Sequence, residues 1–91
     1  MADVRAGVDQ LDREIVTLLT KRFGYMTAAA RIKHDRMLVR DEDRKARVIA
    51  QAVAEANAQG IPGDVVGKMW DILVEGSIEF EFAAFDRLQS Q

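Results

Sequence analysis

The sequence has no cysteine, one proline, one histidine and one tryptophan. Without cysteine there is no disulfide, no thiolate nucleophile and no Cys-zinc site. The single His34 makes a His-based metal site improbable and removes most nucleophile–base triads. A basic excess is also missing: thirteen Lys and Arg stand against fifteen Asp and Glu, for a net charge of −2. That argues against a nucleic-acid partner, which normally meets a basic face. No stretch approaches a membrane span, and MADVRAGVDQ carries no apolar core of signal-peptide length. The expectation is a cytoplasmic protein with no membrane partner. Val, Ile and Thr never gather into alternating runs, so strands lack their usual signal.

What is present is helical. The 91 residues, 48% apolar and 31% charged, have room for one hydrophobic core and read as a single domain over 1–91. Ala and straight-chain residues dominate, which favours an all-α chain. Val4, Val8, Leu11, Ile15, Leu18, Tyr25, Ala29 and Ile32 follow steps of three and four, a heptad seam with one gap. This predicts a first helix over about 4–33, with Asp3 as a plausible N-cap. Residues 34–40 lose the seam and form a connection. Asp41, Glu42 and Asp43 place three acids at the start of a second helix, about 41–58, which suits the positive end of its dipole. Gly60 stops that helix and Pro62 sits in the first turn of a third, about 62–88. The third helix carries Val66, Met69, Trp70, Leu73, Phe80 and Ala84 on one stripe, with Ile72, Ile78, Phe82 and Phe85 off it. Trp70 and the Phe residues are expected in the core, and His34 beside the loop in solvent.

Length then sets a demand. A 30-residue helix is about 45 Å long, whereas a compact chain of this size is roughly 30 Å across. The first helix overhangs its own chain while its seam stays apolar. An intertwined, symmetric homodimer covers that overhang; an open monomer leaves a large apolar patch in water.

The gap in the seam is Arg22, where an apolar residue is due. A guanidinium there is costly unless paired. It either meets a buried acid or the dimer rim, or it waits for an anionic ligand. Lys33 lies eleven residues on, about 20° round and roughly 16 Å along the same face. Arg44, in the first turn of the second helix, can point back at the same space. Arg5 lies about 260° round from Arg22, so one chain does not easily aim both at one point; in a dimer, Arg5 can reach its neighbour's pocket. Ser77 interrupts the stripe of the third helix, with Glu81 at i+4. Ser77 can bond back to its own helix and Glu81 can be solvated or salt-bridged, or both can face a ligand. Several cations with few acids suit a small substrate bearing more than one carboxylate. Holding it in a reactive conformer, with donors at developing negative charge, can be the whole of catalysis.

These residues bear a likeness to a known family. VRAGVDQLDREIVTLLTKRFGYMTAAARIK, then VRDEDR, then LVEGSIEFEF resemble the all-helical class of chorismate mutases, including the related isochorismate–pyruvate lyases. The resemblance implies a dimer of interlocked three-helix chains, with no cofactor and no metal. By the same resemblance, Arg5 from the partner and Arg22 grip the substrate carboxylates. Lys33 lies near a carboxylate and the ether oxygen, and Asp41 and Arg44 line the pocket near the ring. Ser77 contacts a carboxylate, and Glu81 faces the ether oxygen opposite Lys33. Two positions depart from the mutase pattern. Lys45 stands where mutases have Glu, and Glu81 stands where bacterial mutases often have Gln. Lys45 and the segment KRFGYMTAAARIK lean toward the lyases; Asp41 leans toward the mutases. The expectation is chorismate mutase first and isochorismate–pyruvate lyase second, with a non-catalytic helical dimer module third.

Overall fold

A computed structural model describes residues 1–90. The described chain is all-helical. Helix α1 spans Ala2–Ile32, α2 spans Glu42–Ala58 and α3 spans Gly63–Gln89, with a short 3-10 turn at Arg36–Leu38. Helix α1 starts earlier than the seam predicts. Met1 is its N-cap residue and the Arg5 amide donates to the Met1 carbonyl at 3.0 Å. Asp3, expected as the cap, lies in the first turn, where its charge meets the positive end of the dipole. The helix stops at Ile32 because Lys33 turns extended, φ −69° and ψ 135°.

The connection is partly ordered by a side chain: Asp35 accepts from the Met37 amide at 2.9 Å and opens the 3-10 turn. Asp41, expected inside α2, is its N-cap and accepts from the Arg44 amide at 3.0 Å. This satisfies one of the orphan donors of the helix start. The other end of α2 closes in a Schellman motif. The Ile61 amide reaches the Ala56 carbonyl at 3.0 Å and the Gly60 amide reaches Asn57 at 3.2 Å. That geometry needs a left-handed residue, and Gly60 supplies φ 78°. Pro62, expected within α3, is instead its N-cap residue, and the helix begins at Gly63. A Cβ at Gly63 would meet the Asn57 side-chain amide, which would have to turn aside to admit it.

Helix α3 is the central element and packs on both α1 and α2. Against α1, Ala30, Ala84 and Phe85 form one buried cluster with Leu88 beside it. Against α2 and the connection, Val39, Val74 and Ile78 form another, backed by Val48, Ile49, Trp70 and Phe82. Phe85, expected in the core, is buried, and so is Ile78 off the stripe; Phe80, also expected in the core, is corrected to 39% exposed, and Met69 on the stripe is 52% exposed. Helix α3 is apolar on more than one side, and its own chain covers only the faces turned to α1 and α2. Phe80 reaches α1 only at its edge, where its ring meets Phe23 at 5.0 Å.

The molecule measures 51 × 26 × 15 Å with a radius of gyration of 15.9 Å, against about 12 Å for a compact chain of this length. The excess is α1. All of residues 1–18 are exposed, and along them Val4, Val8, Leu11, Ile15 and Leu18 are 49–62% open. Among the described residues no helix is long and apolar enough to cross a membrane.

Two arginines fasten the connection to α3. Arg36 meets Asp86 through two hydrogen bonds, 2.9 and 3.3 Å, and lies 4.3 Å from the centre of the Phe82 ring. Arg40 grips Glu75 through both carboxylate oxygens at 3.1 Å and also meets Glu42 at 2.9 Å. Lys45 from α2 joins the group, 3.0 Å from Asp71 and 3.1 Å from Glu75. Hydrogen bonds from Arg40 and then Lys45 pull the Glu75 carboxyl down to about 2 from an ordinary 4.5. A lowered folded value means that this contribution to stability is complete above the unfolded value and fades as pH falls through the folded one. The margin by which wild type out-melts Glu75→Gln should therefore be constant above about pH 5 and shrink between about 4.5 and 2. Melting curves of both proteins across that range check it, and parallel curves down to pH 2 would refute it.

Candidate anion-binding site

A cavity of about 310 Å³ lies between α1, the connection, α2 and α3. Its apolar walls are Met26 and Ala29 from α1, Leu38 and Val39 from the connection, Val48 from α2, and Val74 and Ile78 from α3. The polar groups come from the same elements. Arg22 and Lys33 project from α1, Asp41, Arg44 and Lys45 from the start of α2, and Ser77 and Glu81 from α3. Arg22 and Lys33 reach one cavity because eleven residues bring a helix almost full circle.

Each polar group has a definite engagement. Arg22 donates through Nη1 to Ser77 Oγ at 2.6 Å. Ser77 is 3% exposed and its hydroxyl donates a hydrogen bond to the Leu73 carbonyl at 2.7 Å. Lys33 Nζ lies 2.6 Å from Glu81 Oε2, and Glu81 is 5% exposed. Of the readings open for Glu81, the salt bridge is realised, with Lys33; the carboxylate is buried and also lines the cavity. The Asp41 carboxylate caps α2 and so fixes the turn that carries Arg44. Lys45 turns its ammonium to Asp71 and Glu75 on α3, so its charge is met before a ligand arrives.

Arg22 and Arg44 are different. Among the described residues neither forms an ion pair with a carboxylate. Burial, and then the nearby charge of Arg44, hold the Arg22 guanidinium below its usual value. Two like charges at one half-buried cavity, neither ion-paired to a carboxylate among the described residues, make a place where an anion is favourable. The alternative of a buried acid beside Arg22 is not what the chain provides; its partner is a neutral hydroxyl.

Arg5 is not brought to this cavity by its own chain. It is exposed on the overhanging end of α1, seventeen residues before Arg22 and so about 26 Å away along the axis. Arg40 and the outward role of Lys45 were not legible in the charged run 40–47. A signal existed on α3, where Asp71 and Glu75 stand at i and i+4 as an acidic pair on one face. Among the described residues no three His, Cys, Asp or Glu side chains cluster where they could hold a metal. The chemistry the lining offers is anion binding, hydrogen-bond donation to an oxygen, and one carboxyl group, Glu81, already beside Lys33.

Fold and cavity together describe an all-helical chain with a pocket lined by Arg22, Lys33, Arg44 and Lys45 beside Asp41 and Glu81. A family model for chorismate mutase type II matches residues 4–82, and the chain belongs to that family. No curated protein matches it in sequence.

Proposed function

We propose that the protein is a chorismate mutase that rearranges chorismate to prephenate in this cavity, without cofactor or metal. The observation that carries the reading is the pair Arg22 and Arg44, two guanidiniums at one cavity, neither ion-paired to a carboxylate among the described residues. Chorismate brings two carboxylates to that charge. The rearrangement breaks the ether C–O bond and forms a C–C bond within one molecule, so no group leaves and no external proton is needed. Arg22 and Arg44 hold the carboxylates and ring in the folded conformer, which removes most of the entropic barrier. Negative charge grows on the ether oxygen as its bond stretches. Lys33 is the donor there, its ammonium held from α3 by Glu81 at 2.6 Å. Asp41 lines the ring side, where Arg44 is set by the cap, and Ser77 completes the carboxylate end.

A second copy of the chain supplies what one copy lacks. The apolar overhang of α1 is open along its length, and a patch of that size is costly in water. An intertwined homodimer covers it and lets Arg5 of one protomer reach the cavity of the other.

One observation favours a second reading, isochorismate–pyruvate lyase. Lys45 has no acceptor capacity for a ring hydroxyl, and its ammonium is engaged by Asp71 and Glu75. In chorismate the hydroxyl is placed where the mutases of this family keep Glu at position 45. Lys45→Gln, which supplies an acceptor without setting a third carboxylate against Asp71 and Glu75, should therefore raise kcat/KM for chorismate several-fold, the value of a neutral hydrogen bond. It should not help release of pyruvate from isochorismate. Turnover of both substrates by wild type and variant is the test. Wild-type lyase activity without prephenate formation moves the function to the second reading, and equal loss of both activities in the variant gives Lys45 a role of another kind.

A further inference from the structure

The start of α2 carries Asp41 and Arg44 into the cavity lining, and one side chain outside that lining brackets it. Glu75 on α3 takes the residue just before the cap and the residue just after Arg44. Arg40 donates to both of its oxygens at 3.1 Å, and Lys45 Nζ donates to Oε2, also at 3.1 Å. A bidentate guanidinium–carboxylate pair fixes orientation as well as distance. The contact continues into the core one residue earlier on each side, where Val39 packs with Val74. Residues 39 and 40 are therefore docked on 74 and 75, by one apolar and one ionic contact. Asp41 follows directly, and its carboxylate accepts from the Arg44 amide at 3.0 Å. Only one peptide bond and one capping bond separate the Arg40–Glu75 pair from the backbone of Arg44.

We infer that Glu75 is a positioning residue for Arg44, holding the start of α2 on α3 from outside the cavity. The inference deepens the proposed function and rests on it for its effect on turnover. Helix starts fray because their first amides have no partner within the helix. The Arg44 amide is one of these, and the Asp41 that caps it is exposed. Without the anchor at Arg40, cap and arginine drift together, and a ligand must order both as it binds. Ion pairs as exposed as these contribute modestly to global stability, so the main effect of the bracket is the geometry it sets. Removing the Glu75 carboxylate strands neither cation. Arg40 keeps Glu42 at 2.9 Å, and Lys45 keeps Asp71 at 3.0 Å. Arg36 still ties the earlier part of the connection to Asp86. The loosening is therefore confined to the start of α2.

Two measurements on Glu75→Ala test this, one of them independent of any substrate. In nitrogen-15 NMR of the unliganded protein, hydrogen exchange at the Arg44 and Lys45 main-chain amides should quicken roughly three- to fivefold in the variant. Amides in the middle of α1 and α3 should keep their wild-type rates. Equal rates at Arg44 and Lys45 in the two proteins would overturn the inference, and so would a uniform rise along the whole chain. The other measurement is steady-state turnover of chorismate by wild type, Glu75→Ala, Arg44→Lys and the double variant. A loosened Arg44 is ordered by the ligand, so KM should rise roughly fivefold while kcat stays within about twofold. A merely structural role reduces the amount of folded enzyme, which lowers kcat and leaves KM unchanged; that pattern would overturn the inference. In the Arg44→Lys background the same substitution should move KM little, because the group it positions is gone. An equal rise in both backgrounds would place the effect of Glu75 elsewhere and overturn it. Should Glu75→Ala melt below the assay temperature, Glu75→Gln keeps the shape without the charge and carries the same comparisons. A wild type that turns over neither chorismate nor isochorismate defeats the proposed activity, while the exchange comparison still decides the role of Glu75.

Discussion

Arg22→Ala should lose on the order of 10² or more in turnover, the cost of losing the hold that sets the reactive conformer, and should melt at or slightly above the wild-type temperature. Both halves follow from the same observations. Arg22 has no carboxylate partner among the described residues, and its guanidinium is held below its usual value by burial and by Arg44. Removing it relieves an uncompensated charge, which is neutral or stabilising when no buried partner is orphaned. The group left behind, Ser77, keeps its bond to Leu73. The same charge that burdens the empty protein holds the carboxylate that sets the reactive conformer, so the loss falls on function. Thermal melting and initial rates on one preparation separate the outcomes. A variant that unfolds early yet works normally per folded molecule makes Arg22 structural.

The second large effect concerns Arg5. Arg5→Ala and Arg22→Ala should each be nearly inactive, yet mixing them under subunit exchange should restore about a quarter of wild-type sites, as twofold symmetry requires. Random exchange makes half of the dimers mixed. In each mixed dimer one site has both arginines intact and the other has neither. The motive is geometric: Arg5 lies on an exposed, apolar overhang, about 26 Å along the helix axis from Arg22. No recovery after verified exchange, or full activity in a species that sediments as one chain, removes Arg5 from the site.

The helices were legible because their signals are local. Steps of three and four mark α1, the acids at 41–43 mark the start of α2, and Gly60 marks its end. The boundaries moved by a residue or two where main-chain bonding decides, as at Met1 and Pro62. The faces of α3 were harder to read. Its sequence is apolar on several sides, and periodicity does not tell which side meets α1, which meets α2 and which is left for another surface. Phe85 is in the core as expected, whereas Phe80 is 39% exposed.

At the cavity, Arg22 stood out because a cation on an apolar seam is conspicuous against its neighbours. Lys33, Arg44, Ser77 and Glu81 followed from helical geometry and resemblance, and all four line the cavity with it. Asp41 lines it too, but its visible work is to cap α2. The clamp formed by Arg40, Lys45, Asp71 and Glu75 was hidden, because a charged run reads as a solvated face until its partner helix is known. The pairing of Arg22 with a hydroxyl and of Lys33 with a carboxylate was equally hidden. It depends on the register of α1 against α3, which no local pattern carries.

The central claim is that this cationic cavity folds a dicarboxylate into a reactive conformer and rearranges it. The most direct measurement is product identification: purified protein is incubated with chorismate alone, with Arg22→Ala as control, and the products are resolved over time. The account predicts one product of unchanged mass, prephenate, formed by wild type with no metal or cofactor added and at most traces from the variant. Chorismate recovered unchanged from wild type, or prephenate formed at equal rates by both proteins, would contradict it.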